Sequence, residues 1–193
     1  MSFGYPVMLD LAGVPVLVVG GGTIAARKAA GLLDAGAKVT VVAPMVLPEL
    51  AGAVAEVREK PYEAADLDGH QLVMTATDVP EVNAAVARDA RAAGLWVNSA
   101  DDPENCTFIL PAVTRRGPVV VAVGTDGSSP ALARHLRDRI AAEVLTPDVE
   151  RAAKELARQR AEFHAVGIST ESIDWAERVR VALAPHADPD AES

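Results

Sequence analysis

A valine-rich run that halts at three glycines constrains this chain more than any other feature of it. Residues 14–19 read Val-Pro-Val-Leu-Val-Val, and Gly20-Gly21-Gly22 ends the run. Apolar residues at consecutive rather than alternate positions suit a strand buried on both faces, as in a parallel sheet. Strong helix formers fill Thr23 to Ala35, and Gly36 follows as the stop beyond the helix. Lys38–Val42 reads as a second strand, ended by Ala43-Pro44. Strand, glycine turn, helix and strand within about 30 residues make one βαβ unit.

The turn itself has a chemistry. Gly20-Gly21-Gly22-Thr23-Ile24-Ala25 fits G-x-G-x-x-A. The first glycine of the fingerprint permits a tight turn, the second lets the backbone approach a pyrophosphate, and Ala25 lets the helix pack close to the strand. The helix N-terminus offers unpaired N–H groups and a partial positive charge to the phosphates. A tight turn with no ligand is the plain alternative, and the strand–helix–strand frame argues against it. One feature departs from the usual fingerprint. The second strand normally ends in Asp or Glu, which holds the ribose. Here Val42-Ala43-Pro44-Met45 stands in that place, and the first carboxylate afterwards is Glu49. Ribose and adenine are expected to meet the backbone at Pro44 and Met45, which leaves NAD and NADP both open.

The alternation continues along the chain. Ala55–Arg58, Leu72–Ala76 and Leu95–Asn98 read as further strands, with a helix from Pro80 to Ala93 that Gly94 stops. After Asn98 the pattern changes. Thr107–Thr114 and Pro118–Val123 flank Arg115-Arg116-Gly117, which predicts a hairpin turning at those residues. Ser129-Pro130 and Thr146-Pro147 each read as an N-cap followed by proline at the first helical position. Leu132, Leu136, Ile140 and Val144 form one apolar stripe, and Ile173, Ala176, Val179 and Leu183 mark a last helix. The expectation is an α/β chain: a Rossmann-like doubly wound parallel sheet, then a β-hairpin dimerisation region and a small helical domain. The boundaries fall at 1–106 for the nucleotide-binding domain, 107–145 for the hairpin and helix, and 146–193 for the C-terminal helices. That tail is small for a core of its own, so a homodimer is expected.

Composition narrows the partners. The chain has 193 residues and a formal net charge of −9. So acidic a chain is a poor partner for nucleic acid or for an anionic membrane surface. No apolar stretch approaches the ~20 residues needed to span a bilayer, and Met1–Pro6 lacks the basic and apolar segments of a signal peptide. A single cysteine, Cys106, excludes an intrachain disulfide. A cytoplasmic location fits these observations.

Several segments together resemble the precorrin-2 dehydrogenase family, whose fold also forms the N-terminal part of multifunctional siroheme synthase. They are Val18–Lys28, Thr75–Asp78, Asn98–Pro103, Phe108–Ala112 and Ser128–Arg134, and they run in order between Tyr5 and Leu145. The resemblance implies oxidation of precorrin-2 to sirohydrochlorin with NAD, in siroheme or cobalamin synthesis, by a homodimer. Some members also insert Fe2+, so ferrochelatase activity is carried as a second expectation. Thr23 and Ile24 match the family's cofactor positions after the glycines, and Pro44 and Met45 match the second cofactor pair. Asp101 matches the acidic residue regarded as catalytic. Thr125 falls where a serine often stands, although Gly124 replaces the serine before it.

Hydride removal from the ring leaves a proton to be accepted, and a carboxylate near the ring suits that role. Asp101 follows the fifth strand, near the carboxyl edge where such sheets bind ligands. Asp101-Asp102-Pro103 also reads as turn chemistry. Asn98, Thr125, Ser128 and Arg134 are the candidate substrate contacts. The implied substrate is rich in carboxylates, so an acidic protein must gather cations locally. Arg115, Arg116, Arg134, Arg137 and Arg139 are the candidates, with Arg27 and Lys28 on the first helix. Cys106 is read as a small buried hydrophobe. The histidines His70, His135, His164 and His186 show no ligand spacing, so the metal site is left unassigned. The rivals are another Rossmann oxidoreductase and an NAD-binding redox-sensing module. Tyr5 and Tyr62 lack the Tyr-x-x-x-Lys lysine of short-chain reductases, and no basic recognition helix stands in the tail.

Overall fold

A computed structural model describes residues 4–100 and 102–184. The chain divides into two compact units, residues 1–110 and 111–193.

The first unit is a parallel sheet with helices on both faces. Its strands are β1 (Pro15–Val19), β2 (Lys38–Val42), β3 (Glu56–Arg58), β4 (Leu72–Thr75) and β5 (Trp96–Ser99), in the spatial order β3-β2-β1-β4-β5. Every pairing is parallel. The central strand β1 has Val16, Leu17 and Val18 fully buried, which is why it reads as apolar throughout rather than at alternate positions.

Helix α1 (Thr23–Asp34) covers one face. Ala25, Ala29 and Leu32 pack there against Val16, Val18, Val39 and Val41. Gly36, at a φ of 80°, ends the helix as expected, with its N–H donating to Leu33 O at 2.8 Å. A one-turn helix, α2 (Pro48–Ala51), lies between β2 and β3 and carries no periodicity long enough to read from sequence. Helix α3 (Pro80–Ala92) covers the other face, where Val86, Ala87 and Ala90 pack on Leu17, Val73 and Val97.

The second unit holds an antiparallel hairpin, β6 (Ala112–Arg116) with β7 (Val119–Val123), and helices α4 (Pro130–Glu143), α5 (Pro147–Ala165) and α6 (Ala176–Leu183). The hairpin differs from its expected form. Arg115 and Arg116 are strand residues paired with Val120 and Val119, and the turn is Gly117-Pro118, with Gly117 at a φ of 53°. The first strand starts only at Ala112. Thr107 instead bonds β5, its N–H donating to Val97 O at 2.8 Å. Ser129 caps α4 as predicted, accepting from the Leu132 N–H at 3.2 Å. Thr146 holds the corresponding position on α5, yet its side chain makes no capping bond.

Candidate functional site: the glycine turn and the cleft beside it

The order β3-β2-β1-β4-β5 reverses direction between β1 and β4. Sheets of this kind bind ligands outside the carboxyl ends of the strands at that reversal. The glycine turn lies there, because it directly follows β1.

Each glycine has its own reason. Gly20 has a φ of 126°, and a methyl built on it would collide with the Ala76 carbonyl oxygen after β4. A methyl on Gly21 would collide with the Met45 carbonyl oxygen after β2. A methyl on Gly22 would meet nothing within 4 Å. The turn is therefore squeezed against protein at Gly20 and Gly21 and open at Gly22, the side from which a pyrophosphate would approach. Gly21 is the variable position of the fingerprint, and its close contact with Met45 could not be read from spacing.

Helix α1 starts at Thr23 with no side-chain cap on its N-terminus and no acidic residue in its first turn. Its first N–H groups and partial positive charge are left for an anion. Thr23 and Ile24 are exposed, as are Pro44 and Met45, and Met45 is 82% exposed. The Leu47 N–H donates to Gly21 O at 2.9 Å, tying the two segments together. The structure thus brings Gly20, Gly21, Gly22, Thr23, Ile24, Pro44 and Met45 to one edge. The residues fit a dinucleotide: an open glycine, an uncapped helix start and an exposed apolar side chain where adenine would rest.

Beside α1 lies a cleft of about 230 Å³ whose lining includes Ile24, Arg27, Lys28, Asn98, Asp102 and Cys106. The Lys28 ammonium donates to Asn98 Oδ1 at 2.5 Å, and Asn98 Nδ2 donates to Phe108 O at 3.0 Å. Asn98 is buried, and both ends of its amide are engaged by protein. It orients Lys28 at the cleft, a link between α1 and β5 that sequence separation conceals. Asp102 caps the short turn Pro103–Asn105, accepting from the Asn105 N–H at 3.3 Å. Cys106 is 3% exposed, and burial pushes its thiol up despite the Ser99 N–H at 3.1 Å. Asp101 lies outside the described residues.

Thr125, Ser128 and Arg134 belong to the second unit. The Thr125 hydroxyl accepts from the Ser129 N–H at 3.2 Å, so it shapes the start of α4. Ser128 is exposed, and its N–H donates to Thr125 O at 2.9 Å. Arg134 is exposed and its guanidinium makes no hydrogen bond or ion pair with another described residue, whereas Arg137 pairs with Asp138 and Arg139 with Glu143. No group of three or more His, Cys, Asp or Glu side chains suited to a metal occurs among the described residues. Among these residues no helix is long and apolar enough to cross a membrane.

A parallel sheet carrying a glycine turn and an open helix start at its reversal point defines a dinucleotide-binding protein. Comparison with known proteins agrees. The profile of an NAD(P)-binding family matches residues 7–112, and that of the central region of sirohaem biosynthesis proteins matches residues 116–143. Siroheme synthase of Methylobacillus flagellatus is 50% identical over 146 residues, covering 74% of this chain and 31% of that protein. Siroheme synthase of Methylococcus capsulatus is 51% identical over 139 residues, covering 70% and 29%. The chain thus spans about a third of the length of these relatives. The solved structure of SirC, a precorrin-2 dehydrogenase, superposes with a TM-score of 0.73 at 30% identity, covering 93% of this chain and 96% of that one. The chain belongs to the NAD(P)-binding family whose profile it matches, and to the family of SirC.

Proposed function

We propose that the chain is an NAD-dependent dehydrogenase that oxidises precorrin-2 to sirohydrochlorin in siroheme synthesis. The observation that carries this reading is the likeness to SirC over nearly the whole of both chains, with the glycine turn open at Gly22. When bound, NAD+ accepts the hydride that the tetrapyrrole gives up. The chain's own part is to hold and to deprotonate. The turn Gly20–Gly22 and the N-terminus of α1, with Thr23 and Ile24, hold the pyrophosphate. Pro44 and Met45 border the adenosine. Asp101 takes the proton released as the ring is oxidised. Lys28, oriented by Asn98, meets a substrate carboxylate, and Arg134, Thr125 and Ser128 are the substrate contacts proposed in the second unit.

Incubation of the protein with precorrin-2 and NAD+ under anaerobic conditions should give the sirohydrochlorin spectrum together with NADH. No spectral change with intact, folded protein would sink the reading. Asp101→Asn should lose turnover while still binding NAD+; normal turnover would remove Asp101 from the mechanism. Fe2+ is proposed as a second substrate, and adding it to the same assay should convert sirohydrochlorin to siroheme. Persistence of metal-free sirohydrochlorin would confine the chain to dehydrogenation.

The proposed assembly is a homodimer through the second unit. Leu132, Leu136 and Val144 of α4 are 49%, 37% and 55% exposed, an apolar stripe that the described residues leave partly open. Light scattering at micromolar concentration should give twice the chain mass, and Leu136→Glu should halve it. A wild-type monomer would remove the dimer.

A further inference from the structure

We propose that Asn83 is a positioning residue for the cofactor crevice: its single amide holds the segment Ala76–Val79 against the glycine turn. The proposal rests on the dinucleotide reading given above. The crevice lies outside the carboxyl ends of β1 and β4, so it has two walls. One is the turn at Gly20. The other is the segment that follows β4. The two are in direct contact, because the Ala76 N–H donates to Val19 O at 2.8 Å and the Ala76 carbonyl fills the space a side chain on Gly20 would need. A shift of Ala76 therefore moves the floor on which the pyrophosphate turn rests.

The sheet holds that segment only at its first residue, through the Ala76 N–H, since the strand pairing ends at Thr75. Ala76–Val79 belongs to no strand or helix. Beyond Ala76, the polar groups of Thr77 converge on Asn83 of α3, and the Val79 N–H donates to the Thr77 hydroxyl at 3.2 Å. The Asn83 Oδ1 accepts from the Thr75 hydroxyl and from the Thr77 N–H at 3.1 Å, and the Thr77 hydroxyl lies 2.9 Å from it. The Asn83 Nδ2 donates back to Thr77 O at 2.9 Å. Asn83 is 7% exposed, so it acts through the segment rather than on a ligand. Asparagine is a poor helix former, yet it lies on the buried face of α3 with Val86, Ala87 and Ala90. Satisfying the segment explains it there. Without the amide, the fully buried Thr75 hydroxyl and the Thr77 N–H lose their partner.

The test is calorimetric titration of NAD+ into the wild-type chain, Asn83→Ala, Asn83→Asp and Thr75→Val, with thermal melting alongside. A wild-type chain that binds no NAD+ overturns the cofactor reading and this one with it. Given wild-type binding, Asn83→Ala should weaken NAD+ affinity about tenfold, with KM for precorrin-2 unchanged and kcat within about twofold. Asn83→Asp keeps the acceptor oxygen and should recover part of the loss. Thr75→Val and Asn83→Ala combined should cost less than the product of the two single effects. A folded Asn83→Ala with wild-type NAD+ affinity, even one that melts earlier, overturns the proposal. If Asn83→Ala does not fold, wild-type affinity in both Asn83→Asp and Thr75→Val overturns it.

Discussion

At the scale of single residues, space and burial decide most of what a substitution would do. Gly21→Ala would drive a methyl into the Met45 carbonyl, which is backbone and cannot rotate away. Its cost should be about 2 kcal/mol of stability, with loss of NAD+ binding as the Pro44–Met45 segment moves; chemical denaturation and titration read the two effects. Gly22→Ala meets open space, so it should spare stability and weaken NAD+ alone. Cys106 is buried with a raised thiol, and it should react with a thiol reagent only when the chain is unfolded. Asp66 is the buried carboxylate among those held below their ordinary range. Burial pushes its carboxyl up, but the Glu63 N–H at 2.9 Å, Lys60 at 3.0 Å and Arg58 at 3.2 Å outweigh that and hold it below the usual aspartate range. The native state thus binds the proton less readily than the unfolded chain. The stabilisation is complete above the ordinary aspartate value of about 3.9 and is lost as pH falls through the lowered native value. Asp66→Asn should cost about 2 kcal/mol near neutrality, through weakened charge-assisted hydrogen bonds, and flatten the acid limb of a urea-denaturation series.

At the scale of elements, the sequence displayed what local chemistry determines. β1, α1, β2 and α3 were legible because buried parallel strands read as unbroken apolar runs, and because glycine and proline mark helix ends. The cap at Ser129 was legible for the same local reason, and Ser129→Ala should cost about 1 kcal/mol, seen as a lower melting temperature. Where long-range bonding decides, legibility stopped. Thr107–Leu110 looked like a strand, but Thr107 bonds β5 and the ladder to β7 opens only after Pro111. The turn narrowed from Arg115-Arg116-Gly117 to Gly117-Pro118 because proline lacks a ladder donor and Gly117 tolerates a positive φ. Within the candidate site, the fingerprint glycines and the Pro44-Met45 pair came from spacing and resemblance. The Lys28–Asn98 link and the Asn83 clamp came only with the fold, because each joins elements distant in sequence and a lone Lys or Asn carries no motif.

At the scale of the whole molecule, charge and sheet order set how the protein behaves. With a net charge of −9, the chain depends on local cations, such as the proposed contacts Lys28 and Arg134, to attract an anionic substrate. Substrate affinity should therefore weaken as salt rises. Charge reversal at Arg134 should raise KM for precorrin-2 while leaving NAD+ affinity unchanged; an unchanged KM would remove Arg134 from the substrate site. The sheet order has a second consequence, for synthesis. The central strand Pro15–Val19 is flanked by Lys38–Val42 on one side and by Leu72–Thr75 on the other. A ribosome releases the first partner soon after the central strand and the second only much later. During that interval the nascent chain carries an apolar ribbon with one open edge, the state in which slow parallel sheets are most exposed to aggregation and to chaperones. Truncated nascent chains ending before Leu72 should consequently be captured by a holdase, and chains extended past Ser99 should escape it.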